Sequence, residues 1–480
     1  VSKSFLLLFF KKEVLFLLNP PLRKPGINQH APMPQYSAYC RAAVSSAPKS
    51  REGPTRMYRV RLYQATAIVA TALCIGNVPV AAAAPGEIVL QGTRGTIVVP
   101  ASSVLHPEDA GRRAHTNIRL LIQKGHAGPQ NTEPSGDYET PASLGCLYGV
   151  TKFVKGCNPE TLKTVATGGS KAIALVDAYD MPTAAHDLGV YSKQFGLPAI
   201  TKTNFQVVYA TGSKPAQDPS GGWELEEALD IEMAHALAPN ATVYLVEAAS
   251  NNNSDLLVAE SVAAKLVAAA GGGEVSNSWA GGEYGQEQGT EKNFSLDTVV
   301  FFASAGDSAG VGWPSVLDNV VAVGGTDVNR KANGNFENQS AWVDTGGGSS
   351  AYLARPAYQD KIEKIVGSKR GVPDISLVAD PDTGVWMYDS TPYEGQVLDW
   401  LVVGGTSVAS PASAAIVNNA AHFFGSSKLE LTQVYKAKAK AKAFTDIVLG
   451  SCGANGKDTK AVKGWDFCTG VGTPHGTADK

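Results

Sequence analysis

Charge is scarce in this sequence. Of 480 residues, 18% are Asp, Glu, Lys or Arg, and 41 basic groups face 44 acidic ones. Without a basic excess the chain is not expected to bind nucleic acid, where neutralising phosphates drives affinity. No apolar run is long enough for a stable membrane span. The best, Ala65–Ile75, has about half of the ~20 residues required. Glycine (50) and proline (27) are too few for a collagen-like or wholly disordered chain. There are only six cysteines, none with CxxC spacing, so zinc is not expected. No internal repeat is evident. What remains is a 44% hydrophobic chain, enough for one large domain or two to three smaller ones.

The N-terminus reads differently from the rest. Residues 1–56 mix short apolar runs with a Pro/Ser/Arg-rich tract and read as a non-native or mis-extended start. Residues 57–84 have a secretory layout, with Arg59 and Arg61 before the apolar run and VAAAA after it. Residues 85–135 contain a β-prone piece, a charged helix-like stretch and a polar linker, read as a short pro-segment. Beyond residue 85, 30 basic groups face 42 acidic ones, a formal charge of −12. The exported chain is therefore acidic. Cys146/Cys157 and Cys452/Cys468 then read as two local disulfides. Sequons at Asn240, Asn252, Asn293 and Asn338 matter only in a eukaryotic secretory route.

From residue 136 onward, short apolar strands alternate with helices of 10–15 residues. The pattern predicts a doubly wound, mostly parallel α/β sheet flanked by helices, in a single large domain to residue 480. Sites in such sheets lie at carboxyl ends of strands, and three strand ends carry reactive groups: Asp177, Asp307 and Ser407. The KAKAKAKA tract, Lys436–Ala443, reads as a solvated face.

Ser407 follows an apolar strand and opens a helix of small residues, with Pro411 expected in its first turn. Such a serine is a helix cap or a nucleophile. A nucleophile needs a base. Of the eight histidines, His235 lies inside a helix and reads as a packed core residue, and the only HGT is at His475. An order of Ser407, Asp446, His475 would suit an α/β-hydrolase, but the turn G-T-S-V-A lacks the G-x-S-x-G form. A carboxylate base is the alternative. Glu226 and Asp230 are four apart and share a helix face, where burial and mutual repulsion let a pair hold one proton. An ordinary acidic stripe is the competing reading, since Glu224, Glu227 and Glu232 are also there.

E-x-x-x-D before AHALAP, then SNSW, SAGDS and GGTSVASP in that order, resemble the sedolisins, the serine-carboxyl peptidases. IALVDAYD, QFGLP, RGVPDISLVADP and GWDFCTGVGTP extend the likeness over about residues 136–476. The resemblance implies a subtilisin-like fold and acid-acting hydrolysis of peptides or unfolded proteins. It implies Ser407 as nucleophile, Glu226 as base, Asp230 as its partner and Asp307 as a protonated oxyanion donor. Ser278 and Trp279 would lie beside bound peptide, and Asp177 could stand behind the pair or cap a turn. It further implies one structural Ca²⁺ held by Asp446, Ile447, Val462, Gly464 and Asp466. A secreted monomer without lasting membrane association is expected, extracellular or periplasmic. A silent peptide-binding scaffold and a subtilisin-type enzyme with a histidine base are the competing readings.

Overall fold

The computed structural model describes residues 84–124, 133–136, 138–437, 443–454 and 459–477. Apart from Ala84, the expected signal sequence and everything before it lie outside the described residues, as does most of the lysine–alanine tract.

An N-terminal arm contains β1 (Ile88–Gln91), β2 (Gly95–Val99), the two-residue β3 (His115–Thr116) and β4 (Arg119–Gln123). Helix α1 (Pro141–Leu147) follows, started by a reciprocal Thr140–Ser143 capping box. The alternation then begins with β5 (Ala172–Ala178), α2 (Ala184–Phe195), β6 (Phe205–Tyr209) and α3 (Gly222–Leu237). It continues with β7 (Thr242–Ala248), α4 (Asn253–Ala269), β8 (Gly273–Asn277) and, after Ser278 alone, β9 (Trp279–Gly282). Next come β10 (Val299–Ser304), β11 (Gly312–Trp313), β12 (Val321–Arg330) and β13 (Phe336–Ala341). Strand β14 (Gly348–Ala354) pairs with β15 (Lys369–Val372) beyond the one-turn α5 (Glu363–Val366). The chain then forms β16 (Ile375–Val378), the hairpin β17 (Val385–Asp389) and β18 (Asp399–Gly404), α6 (Thr406–Ala420) and α7 (Ser427–Ala437).

The expected parallel sheet is present. Eight strands run in the order β13-β12-β10-β8-β5-β7-β6, with β16 also on β12. All their pairings are parallel except β12–β13. Every residue of β5 and β10 is buried, as continuous apolar runs of a sheet covered on both faces should be. Helix α4 packs on one face with Ala172, Ala174 and Val176, and α3 and α6 pack on the other with Ile173, Leu175 and Leu245.

Two expectations need correction. The strand that enters Ser407, β18, is outside the parallel sheet. It belongs to an antiparallel sheet of order β1-β2-β4-β18-β17, in which β1, β2 and β4 come from the N-terminal arm. The charged stretch near residue 107 forms only a single 3-10 turn, Pro107–Asp109, where Pro107 and Gly111 bracket too little chain for a helix. Both expected disulfides form, Cys146–Cys157 and Cys452–Cys468.

Candidate active site

Helix α3 is buried along all of its 16 residues, so its acids are no solvated stripe. Glu226 and Asp230 face the end of β5, where Asp177 is also fully buried. Burial is the main force on all three and favours their neutral forms, and they repel one another. Asp177 is pushed up to about 8 and has no hydrogen-bond partner on either oxygen. Glu226 is driven well above the usual carboxylate range by burial and then by Asp177. The Ser407 hydroxyl and the Asn117 amide act the other way. Asp230 is raised by burial, Asp177 and Glu226, against a hydrogen bond from Ser278.

Ser407 is the second residue of α6. Gly405 before it has φ +106°, a conformation that L side chains rarely adopt. Its hydroxyl donates to the Ser278 carbonyl at 3.0 Å. Pro411 lies at the sixth position of α6, not in its first turn, because the helix opens at Thr406. Proline has no N–H for the carbonyl four residues back, which is that of Ser407. The Ser278 hydroxyl, 3.4 Å away, takes that place, and it also lies 2.6 Å from Asp230 Oδ1. The short bond is the one in which Ser278 donates to Asp230, and the contact to the Ser407 carbonyl is the weaker branch of the same hydroxyl.

Asp307 reaches the same point from the loop after β10. Its Oδ1 accepts from the Thr406 amide (2.7 Å) and hydroxyl (2.8 Å), and its Oδ2 has no hydrogen-bond partner. Burial lifts it to about 6, with Arg119 and Thr406 restraining the rise and Asp344 adding to it. The structure thus brings Ser407, Glu226, Asp230, Asp307 and Ser278 together. The Trp279 indole is core: it is fully buried, donates to the Val176 carbonyl at 2.8 Å and packs on Trp313. Its backbone pairs with Thr116 of β3.

Among the described residues no histidine hydrogen-bonds to Ser407. His235 is buried and bonds the Pro198 carbonyl at 2.9 Å, and burial lowers its pKa. Asp446 is exposed and accepts from the Gly464 amide, away from Ser407.

Sequence reasoning missed Asn117 and Arg119. The Asn117 carbonyl accepts from the Ser407 amide at 3.2 Å, and its amide donates to Glu226 Oε2 at 3.2 Å. Arg119 bonds the Asp307 carbonyl, sets Nε 3.7 Å from Asp307 Oδ2, and pairs with Asp344 at 2.6 Å. Neither residue stands in a motif. Their partners are about 100 to 300 positions away, and only the fold brings them near.

At the C-terminal end, Asp446 and Asp466 both meet the 462–464 loop. Gly464 N donates to Asp446 at 2.9 Å and Val462 N to Asp466 at 3.0 Å. Ile447 is buried beside Asp446, and Cys452–Cys468 closes the same loop. No group of three or more His, Cys, Asp or Glu able to hold a metal occurs among the described residues.

No family model matches the chain. Kumamolisin from Bacillus sp. (strain MN-32) is 30% identical over 341 residues, 64% of this chain and 59% of that protein. Sedolisin from Pseudomonas sp. (strain 101) is 25% identical over 415 residues, 73% and 69% of the two chains. The chain is similar to these two peptidases of the sedolisin family. A solved structure of Pseudomonas sedolisin, a serine-carboxyl proteinase complexed with pseudo-iodotyrostatin, shares the fold. Its TM-score is 0.57 at 22% identity, over 71% of this chain and 96% of that one. The match is partial: this chain spans 59% of kumamolisin's length.

Proposed function

We propose that the chain is a secreted, acid-acting serine-carboxyl peptidase that cuts peptides and unfolded proteins through an acyl-enzyme. The observation that carries the reading is the convergence of Ser407 with two buried carboxyls on α3 and a third acid, Asp307, across the nucleophile turn. Glu226 takes the Ser407 proton as the hydroxyl oxygen attacks a peptide carbonyl. Asp230 shares that proton and, through Ser278, steadies the first turn of α6. Protonated Asp307 and the Ser407 amide donate to the oxyanion. Ser278 and the backbone of Trp279 lie along the bound peptide. A carboxyl base suits acid conditions, where an imidazole would be charged and unable to accept a proton.

The donor set at residues 446–466 fits a hard cation only in part: Asp446 accepts a single loop amide and keeps acceptor positions free, whereas Asp466 already accepts from the Val462, Cys468 and Thr469 amides and the Thr469 hydroxyl. Calcium there would be held by Asp446, Asp466 and the carbonyls of Ile447, Val462 and Gly464. It would supply structural stability far from the chemistry. Export follows from the secretory layout of residues 57–84 and the disulfides, and a monomer remains the expected state. No helix among the described residues is long and apolar enough to cross a membrane.

The deciding experiment is digestion of an acid-denatured protein at about pH 4, inside the range where raised carboxyls titrate. Turnover by the wild type but not by Ser407→Ala supports the reading. A rate that peaks at neutral or alkaline pH would overturn it in favour of a histidine base.

A further inference from the structure

Strand β9 and the turn at residues 251–253, between β7 and α4, flank one extended piece of chain, residues 112–116. On one side β3 pairs antiparallel with β9, His115 opposite Ala280 and Thr116 opposite Trp279. A Cβ on Gly281 would lie 3.2 Å from the Arg113 carbonyl oxygen, so β9 stays alongside. On the other side Asn252 bridges Arg113, and the Asn253 amide donates to the Arg112 carbonyl at 2.8 Å. The closest hold is on Ala114. Its amide donates to the Asn251 carbonyl at 2.9 Å, and its carbonyl accepts from Asn251 Nδ2 at 2.9 Å. One residue thus takes both backbone groups of another, as a neighbouring strand would. Arg112 and Arg113 are exposed, so this turn meets backbone rather than side chains there.

Ser407 sets the register of these contacts. Its amide donates to the Asn117 carbonyl at 3.2 Å, the bond that the proposed mechanism gives to a carbonyl under attack. Thr116, His115 and Ala114 are then the second, third and fourth residues counted back from the reacting bond. Asn251 stands at the fourth place, and Asn252 and Asn253 at the fifth and sixth. The Asn251 amide is also oriented. The Tyr179 hydroxyl donates to its Oδ1 at 3.2 Å, which leaves Nδ2 for the Ala114 carbonyl. Tyr179 has φ +78°, a strained conformation for a residue with a side chain. Its amide bond to the Ala248 carbonyl (3.0 Å) and its ring beside Trp223, centroids 6.2 Å apart, keep it there.

We propose that Asn251 anchors substrate by the backbone of the fourth residue before the cleaved bond, with Tyr179 as its positioning residue, so that the enzyme cuts within long chains. The inference rests on the peptidase reading and adds to it the length and kind of substrate. A peptide that brings a carbonyl to the Ser407 amide takes over the bonds now made to residues 112–116. A peptidase that only removes tripeptides has no chain beyond the third residue to hold. Here backbone contacts continue at the fourth, fifth and sixth places, and none of them needs a free amino terminus.

The test uses the full chain at about pH 4 and synthetic peptides taken from around one bond that it cuts in acid-denatured haemoglobin. The peptides are N-acetylated and carry three, four, five or six residues ahead of that bond. In the wild type, kcat/KM should rise by about tenfold from three residues to four, mainly through KM, as two backbone hydrogen bonds are gained. In Asn251→Ala the ratio of the four-residue to the three-residue peptide should fall toward one. Tyr179→Phe keeps the ring and removes only the hydroxyl, and its ratio should fall part of the way. Both variants should unfold cooperatively on heating; if Asn251→Ala does not, Tyr179→Phe decides. Equal losses on every peptide, with the ratio intact, would make both residues merely structural and overturn the proposal. If length has no effect in the wild type, or if unblocked peptides lose tripeptides while acetylated ones survive, the anchor is wrong and the peptidase reading stands. If haemoglobin is not cut at all, both fall.

Discussion

Two sets of buried carboxyl groups in this molecule have opposite surroundings. Glu139 and Asp374 each meet an arginine in a two-pronged grip. Arg330 reaches Glu139 at 2.7 and 2.6 Å, and Arg370 reaches Asp374 at 2.8 and 2.6 Å. Glu226, Asp230 and Asp177 meet no cation; they meet one another. A buried acid without a counter-charge is most stable when neutral, so this second set holds protons well above the pH at which ordinary carboxyls lose them. Arginine pairing makes acids into struts; its absence makes them proton stores. Asp307 stands between the two, with Arg119 near but not in direct contact with its Oδ2.

The sharpest way to break this comparison is to remove the chemistry from the unpaired set. Ser407→Ala and Glu226→Gln should each lower turnover on denatured protein by at least about a thousand-fold. Glutamine keeps the shape of Glu226 but takes no proton from Ser407, so its thermal midpoint should stay near the wild-type value. Turnover within about tenfold of wild type in either variant would remove that residue from the reaction.

The paired set should fail in stability instead. Arg370→Met leaves Asp374 buried without its cation, and the unfolding free energy should drop by about 3–5 kcal/mol in denaturant titrations. Asp177→Asn, measured in acid, exchanges one neutral polar group for another and should shift the midpoint far less. Equal losses in the two variants would erase the distinction.

Acidity should also act on the sets differently. Asp177 and Glu247 are pushed to about 8, Glu224 to about 7, and Glu226 and Asp230 well above the usual range, in every case chiefly by burial. Below about pH 4 these groups are protonated in both folded and unfolded chains and cost nothing. As pH rises from there toward 8, the unfolded chain ionises while the folded one resists, so stability falls. Denaturant midpoints should therefore fall between acid and neutral pH. A protein more stable at neutral pH would show that these acids have cations or waters around them.

Much of this was readable in advance, and the exceptions share one cause. Strands and helices from Ala172 to Ala269 follow their local apolar periods, and the helix ends fall at glycine or near Pro239, as local chemistry dictates. Whether Glu226 and Asp230 were buried was not readable from spacing, because i and i+4 acids look alike on a wet face and a dry one. Their burial depends on α6 packing against α3, nearly two hundred residues later. The N-terminal arm was the largest gap. Leu121 pairs with Val402 and Ile97 with Leu121, yet nothing local marks β4 as a partner of the strand before Ser407. Hydrophobic period identifies a strand; it does not say beside which strand it lies.

Arg119 gives the smallest effect and the finest test, because it sits where the two sets meet. It comes from β4 and faces Asp307 from one side. Asp344 lies beyond it, Glu226 faces from α3, and Thr406 bonds from α6. Arg119 draws the Asp307 value down, whereas Asp344 and burial raise it. Removing the guanidinium in Arg119→Met leaves those upward forces unopposed, so Asp307 should keep its proton to higher pH. Under the proposed mechanism the alkaline limb of the turnover profile would report loss of that proton, and it should move upward by about one pH unit. Arg119→Lys keeps a charge and should leave the limb nearer its original place. A uniform drop in rate at every pH, with the limb unmoved, would make Arg119 a strut like Arg330 and Arg370. An upward shift would place it apart from them, as the residue that sets how acidic the medium must be before Asp307 can donate.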